Sequence, residues 1–269
     1  ELESPRPGPR KDPPGSAGSE WREDETDTME NAIYIGLSRQ SALRREMDVI
    51  AHNIANANTP AYKSEKMVFQ EYLSQPGGGE RTSLVQDIGL SRDLRDGPAK
   101  PTGNPFDLAI NGEGYFVVDT PLGERYTRHG RFQLDAQNQL VTSAGYPVQG
   151  EGGPITIPPG SGQISVAQDG TVSNEQGTIG VLSLVTFEDE QAMDRAANGL
   201  YSVTDQQPEP VENPTVAQGM LEGSNVQSIL EMTRMMTVSR RYQSLSRMLD
   251  REDDRHTQMI TTLGKPPGG

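Results

Sequence analysis

The chain has 269 residues, a formal net charge of −14 and no cysteine, so disulfides, thiolate metal sites and catalytic thiols are excluded. Only 32% of residues are hydrophobic and 5% aromatic, against 29 glycines and 20 prolines, which points to a thin core and many turns. The acidic balance argues against nucleic acid, and no apolar run reaches the roughly 18 residues that a membrane span needs.

Residues 1–28 carry five prolines, eight acidic and four basic residues, and the only tryptophan, Trp21. Without apolar periodicity, such a segment cannot offset its ordering entropy and is predicted to be disordered. It is read as a dispensable extension or as a stretch upstream of a true start at Met29. No cationic start followed by an apolar run is visible, so no cleaved secretory signal is expected.

From Ile33 to Ile54 the pattern turns helical. Ile33, Leu37, Gln40, Leu43, Met47, Ile50 and Ile54 follow heptad-like spacing. The helix is expected to stop near Asn56–Asn58, because Pro60 disfavours helical geometry at Thr59. Helix and turn together take residues 29–63. Residues 64–104 hold Gly77-Gly78-Gly79, Gly97-Pro98 and Lys100-Pro101, and read as an extended connector.

Residues 105–215 read as an all-β domain of roughly ten short strands. Apolar runs at 106–110, 115–118, 163–166 and 181–187 alternate with turn residues. Asp169-Gly170 is a hairpin-turn signal.

Residues 216–263 are expected to form a second long helix, with Ser224 as N-cap and a stop at Gly264 and Pro266; residues 264–269 are a tail. Its first part has an apolar arc of Val226, Ile229, Leu230, Met232, Met235 and Met236. Its second part is a heptad of Val238, Tyr242, Leu245, Leu249, Glu252, His256, Met259 and Leu263. From the cap onward, residues 225–263 span roughly 58 Å at 1.5 Å per residue, too long to bury in its own β domain.

The resulting fold class is α+β: a discontinuous helical coiled-coil domain from the two terminal helices, plus a central β domain. The helices can pair, but their seams have little else in the chain to cover them. Neighbouring subunits are therefore expected to bury Ile33, Leu37, Leu43, Met47, Ile50 and Ile54 of the first helix. On the second they are expected to bury Val226, Ile229, Met236, Tyr242, Leu245, Leu249, Met259 and Leu263, so that the helices order on assembly.

Enzymatic signals are weak. Gly112-Glu113-Gly114 completes no phosphate-binding glycine motif. His52, His129 and His256 stand apart without a second ligand at metal spacing, so no metal or cofactor is expected. Glu188 and Glu190 lie in a polar loop, and no nucleophile elbow is present. The arginines of the last helix mix with Glu252, Asp253 and Asp254, as on a solvated face.

Several motifs, in order, resemble those of the flagellar axial family of rod and hook proteins. The helix-ending segment from Asn53 through Ala55, Asn56, Asn58, Thr59, Pro60, Tyr62 and Lys63 is similar to that family's signature. FDLAINGEGYFVV (106–118), YTRHGRF (126–132), LVTSAGYPVQG (140–150) and Asp169-Gly170-Thr171-Val172 continue the match. LEGSNVQ (221–227), with Ser224, Asn225 and Val226, resembles the family's approach to its last helix. The first-helix sequence is most like the proximal rod members, with the similar-sized distal rod members as the near alternative. The resemblance implies a non-enzymatic rod subunit whose terminal helices form a coiled-coil layer around a channel. It further implies a periplasmic rod position in the basal body, export through the flagellar type III apparatus without a cleaved signal, and partners that are copies of itself and neighbouring rod proteins. A trimeric stalk protein displaying a β-rich binding module is the alternative outside the family, and a secreted wall-active enzyme lacks a catalytic pair.

Overall fold

The computed structural model describes residues 20–74 and 82–263. Two long helices, α1 (Glu20–Ala55) and α2 (Ser228–Leu263), flank a β-rich region. The chain divides into two compact units. One takes α1 as far as Arg45, residues 69–87 and α2 from Ser239; the other takes Glu46–Val68 and Ile88–Val238.

Three expectations change. Residues 20–28 continue α1 instead of being disordered. Their run of Glu and Asp, unfavourable for a core, is favourable in the first turns of a helix, where the dipole is positive. Residues 1–19 and the tail lie outside the described residues. The connector is also not merely extended: Glu65–Ser74 and Thr82–Arg92 pair in a two-stranded sheet, while Gly77-Gly78-Gly79 lies outside the described residues. Finally, residues 216–222 belong to the β region. Val216–Gln218 pairs with Leu108–Ile110, and Met220–Glu222 pairs with Ala99–Pro101.

α2 therefore starts at Ser228, four residues after the expected cap. Ser224 Oγ accepts from the Val226 amide (3.2 Å) in a local turn, and the first helical bond runs from the Glu231 amide to the Gln227 carbonyl.

The β region centres on a six-stranded antiparallel sheet. Its inner strands, Tyr115–Thr120 and Gly123–Thr127, form a hairpin. Period-two alternation divides Tyr115–Val118 between two cores. Phe116 and Val118 join Leu108, Ile110, Phe132 and Val148 in the larger one. Tyr115 and Val117 join Tyr126, Val185, Phe187 and Tyr201 in the smaller one. The Asp169-Gly170 turn forms as expected: Gly170 has φ +84°, Asp169 Oδ1 accepts from the Thr171 amide (2.9 Å), and Val166 pairs with Val172.

Gly130 has no room for a side chain, since a Cβ would lie 1.7 Å from the Leu108 carbonyl oxygen. Gly130→Ala is expected to cost about 1–3 kcal/mol through overpacking. Gly152, with open space around it, is expected to tolerate Ala within about 0.5 kcal/mol. Urea unfolding of the two variants checks the difference.

Candidate functional site

Asn53 is almost fully buried near the end of α1 and uses every polar position of its carboxamide. Its Oδ1 accepts from Tyr62 Oη (3.1 Å) and the Glu65 amide (3.0 Å). Its Nδ2 donates to the Glu65 carbonyl (2.8 Å) and to Glu231 Oε2 on α2 (3.5 Å). One side chain thus joins the end of α1, the following turn, the next strand and the start of α2. The turn itself is built by Asn56 and Thr59: Asn56 Nδ2 donates to the His52 carbonyl (2.9 Å), and Thr59 Oγ1 donates to Asn56 Oδ1 (3.1 Å). Pro60 then blocks continuation, and Ala61 takes a left-handed φ of +54°. Burial pushes the Tyr62 phenol up, partly opposed by Arg195, whose guanidinium sits 4.3 Å from the ring centre.

Beyond Tyr62 the chain enters a buried ion cluster. Lys63 Nζ donates to Glu222 Oε1 (2.8 Å), Asp96 Oδ1 (3.2 Å) and the Arg95 carbonyl (3.0 Å). Arg128 Nε donates to Glu222 Oε2 (2.9 Å), and its Nη2 to Asp96 Oδ1 (2.8 Å) and the Gly112 carbonyl (2.9 Å). Glu222 also accepts from the Gly97 amide (3.1 Å). Two cations meet two carboxylates, so the cluster carries no net charge. The side chains of Lys63 and Glu222 are each 3% exposed and that of Arg128 4%, whereas that of Asp96 is 45% exposed. Burial alone would lower the Arg128 pKa; the charge and hydrogen bond of Glu222 outweigh it and hold the guanidinium above its ordinary value.

Asn225 completes the clasp from the α2 side. Its Oδ1 accepts from the Ser64 amide (2.7 Å), and its Nδ2 donates to the carbonyls of Asp93 (2.7 Å) and Arg95 (2.9 Å). The family-signature residues Asn53, Tyr62, Lys63 and Asn225 are therefore brought together inside the chain. Glu222, Arg128, Asp96 and Glu231 are the clasp residues that sequence reasoning missed. Glu222 and Arg128 stood within motifs already singled out, but no pattern tied residue 63 to residues 128 and 222.

The helix faces divide. Leu43 and Ile50, expected at an interface between subunits, are buried within the chain, while Ile33, Met47 and Ile54 are half-buried. Within the first unit α1 and α2 touch: a Cβ on Gly36 would lie 2.4 Å from Leu249 Cδ2, and Arg44 Nη2 donates to Tyr242 Oη (2.9 Å). Tyr242, Leu245 and Leu249 are half-buried, as is Val226. In contrast, Leu37, Ile229, Leu230, Met232, Met236 and Met248 are exposed, Ile229 at 81%. The side chains of Met259 and Leu263 lie outside the described ones. Among the described residues no cluster of metal-ligating groups occurs, and no helix is long and apolar enough to cross a membrane.

Comparison with known proteins matches three stretches. Residues 33–63 match the family "Flagella basal body rod protein". Residues 109–174 match "Flagellar hook protein FlgE/F/G D1 domain", and residues 217–262 match "Flagellar basal body rod FlgEFG protein C-terminal". The chain is 41% identical over 243 residues to the flagellar basal-body rod protein FlgF of Caulobacter vibrioides, covering 88% of this chain and 99% of that one. It is 34% identical to FlgF of Mesorhizobium japonicum with the same coverage. The rod protein FlgG of Bacillus subtilis is 33% identical, covering 84% of this chain and 96% of that protein.

Two outcomes test the clasp. Glu222→Gln leaves Lys63 and Arg128 buried beside a single carboxylate and is expected to cost about 3–5 kcal/mol in urea unfolding, whereas Asp96→Asn, at the exposed edge, is expected to cost about 1 kcal/mol or less. The second outcome concerns pH. Hydrogen bonds from Arg95 hold the Asp93 carboxyl down at about 2, against 3.8 when free. Its stabilisation is complete above 3.8 and is lost as pH falls toward 2, so the acid limb of the unfolding midpoint is expected to be shallower in Asp93→Asn.

Proposed function

Given that this chain belongs to the flagellar basal-body rod protein family and is a structural subunit of that rod, most like FlgF, we propose that it polymerises through the exposed faces of α1 and α2. The family is structural, and the chain is not an enzyme. In this reading the two helices form a coiled-coil inner layer around an export channel, with the β region outside it, and the polymer transmits torque as a proximal part of the rod. The chain reaches a periplasmic position through the flagellar type III export apparatus, without a cleaved signal. There it meets copies of itself and other rod subunits, proximal and distal.

The observation that carries this reading is the apolar face at the start of α2. Ile229, Met232 and Met236 are each more than half exposed. Thr233 Oγ1 donates to the Ile229 carbonyl and Thr237 Oγ1 to the Thr233 carbonyl, both at 2.9 Å, so the hydroxyl protons on this face are already bonded. Two turns of helix therefore present apolar surface without charge, the kind of surface that a soluble protein covers with a partner. Methionine suits it, because a flexible thioether adapts to non-identical neighbours.

Ile229→Asp together with Met236→Asp tests this. Both side chains are exposed in the single chain, so the unfolding free energy of the monomer is expected to change by only about 0.5 kcal/mol per site. In the rod, each carboxylate is buried without a partner at a cost of several kcal/mol. Cells carrying only this variant are expected to lack filaments at normal expression. Normal swimming rules the face out as an interface, and a collapsed monomer makes it part of the fold.

A further inference from the structure

Arg92 is a buried cation held only by neutral groups. The residue is 8% exposed, and its Nη2 donates to the carbonyls of Gln191 (3.0 Å), Met193 (2.8 Å) and Glu190. Its guanidinium lies 5.0 Å from the centre of the Tyr201 ring, and among the described residues its Nη1 meets no acceptor. A buried charge is ordinarily matched by an opposite one. Arg92 forms part of the wall of an open hollow of about 410 Å³, together with Lys66, Asp93, Arg95 and Gln191. The wall is rigid on one side: Gln191 Oε1 accepts from the Arg92 amide (2.9 Å), and Gln191 Nε2 donates to the Arg92 carbonyl (2.7 Å). Asp93 is the one carboxylate in the lining, and it already serves Arg95 Nε (2.8 Å) and Lys66 Nζ (3.9 Å). Three cations against one carboxylate leave the hollow positive in a chain whose net charge is −14. The side chains of Lys66 and Arg95 are 51% and 81% exposed, so an incoming group can reach its rim.

The same unit carries a surface of opposite sign. Residues 196–233 hold no Lys, Arg or His. Asp205, Glu209 and Glu212 fall within eight residues of that stretch, and all three are exposed. Glu209–Pro210 is the strand at one margin of the six-stranded sheet, where it pairs with Leu184–Thr186. Pro208 and Pro210 have no amide hydrogen to donate, so a further strand adds poorly there, and what the margin offers is side-chain charge.

We propose that copies of this chain meet head to tail through these two surfaces, with the acidic margin 205–212 of one copy seated at the Lys66, Arg92 and Arg95 hollow of the next. The proposal rests on the reading that the chain polymerises in the rod, but not on which helix residues take part. Two different patches that complement one another make a heterologous contact, which repeats from copy to copy instead of closing a symmetric pair. Opposite charge also steers the encounter and rejects a reversed subunit.

The chain has no cysteine, so Arg95→Cys together with Glu209→Cys supplies its only thiols. In basal bodies isolated from cells carrying this double variant, a short bis-maleimide is expected to give a ladder of dimer, trimer and longer species, and neither single variant gives one. Charge reversal provides a second arm. Lys66→Glu with Arg95→Glu, and separately Glu209→Lys with Glu212→Lys, are each expected to abolish filaments while the purified monomer keeps its urea transition. All four changes in one chain are expected to restore filaments. Filamented cells whose double-cysteine protein gives no ladder overturn the proposal, as does normal filament formation in either reversed set. A four-fold variant that folds but stays without filaments also overturns it. The ladder is read separately from the Ile229→Asp, Met236→Asp variant: a ladder alongside normal swimming of that variant removes the helix face alone, and a missing ladder in filamented cells removes this contact alone.

Discussion

Glu222 is the point on which the second unit turns. Its carboxylate holds Lys63 from the turn after α1, Arg128 from the β region and the amide of Gly97. Its own carbonyl accepts from the Ala61 amide (2.9 Å). A buried carboxylate is costly unless it is paired and its lone pairs are used. Here the lysine and arginine can only be buried together with it, so the segments that carry them have one mutual arrangement. Such clusters add little net stability over an apolar core of the same volume, but an arrangement that separates Glu222 from Lys63 and Arg128 leaves buried charge uncompensated. Asn53 and Asn225 extend the same logic with neutral groups, through amide side chains whose donors and acceptors match backbone positions one for one.

That division of labour separates the helix residues into two kinds. Leu43, Ile50, Asn53 and Val238 are used inside the chain. Ile229, Met232 and Met236 are not, and stand exposed in the single chain. Within the second unit the clasp holds the first turns of α2, through the bond from Asn53 Nδ2 to Glu231 Oε2.

Much of this was legible in the sequence. The 3.6-residue periodicity gave both helices, Asn56 and Pro60 gave the stop, and Asp169-Gly170 gave its hairpin. The division of the seams between intrachain and exposed faces was not legible, because period marks an apolar stripe without saying what covers it. At residues 20–28 acidic composition speaks against a core but suits a helix start, and composition alone does not separate the two. Residues 216–222 were misplaced because three-residue strands leave no periodic trace. The ion cluster was hidden because its members lie far apart in sequence, and charge alone does not distinguish a buried lysine from a solvated one.

The signature residues form a clasp intrinsic to the single chain. Amide hydrogen exchange on dilute, unassembled protein tests it most directly. The amides of Ala61, Gly97 and Gly223, which donate to Glu222 and Pro98, are predicted to exchange as slowly as the core amide of Leu108, which donates to the Gly130 carbonyl. Fast exchange of the three clasp amides in the monomer, with protection gained only on polymerisation, would contradict the account and assign those residues to the interface between subunits.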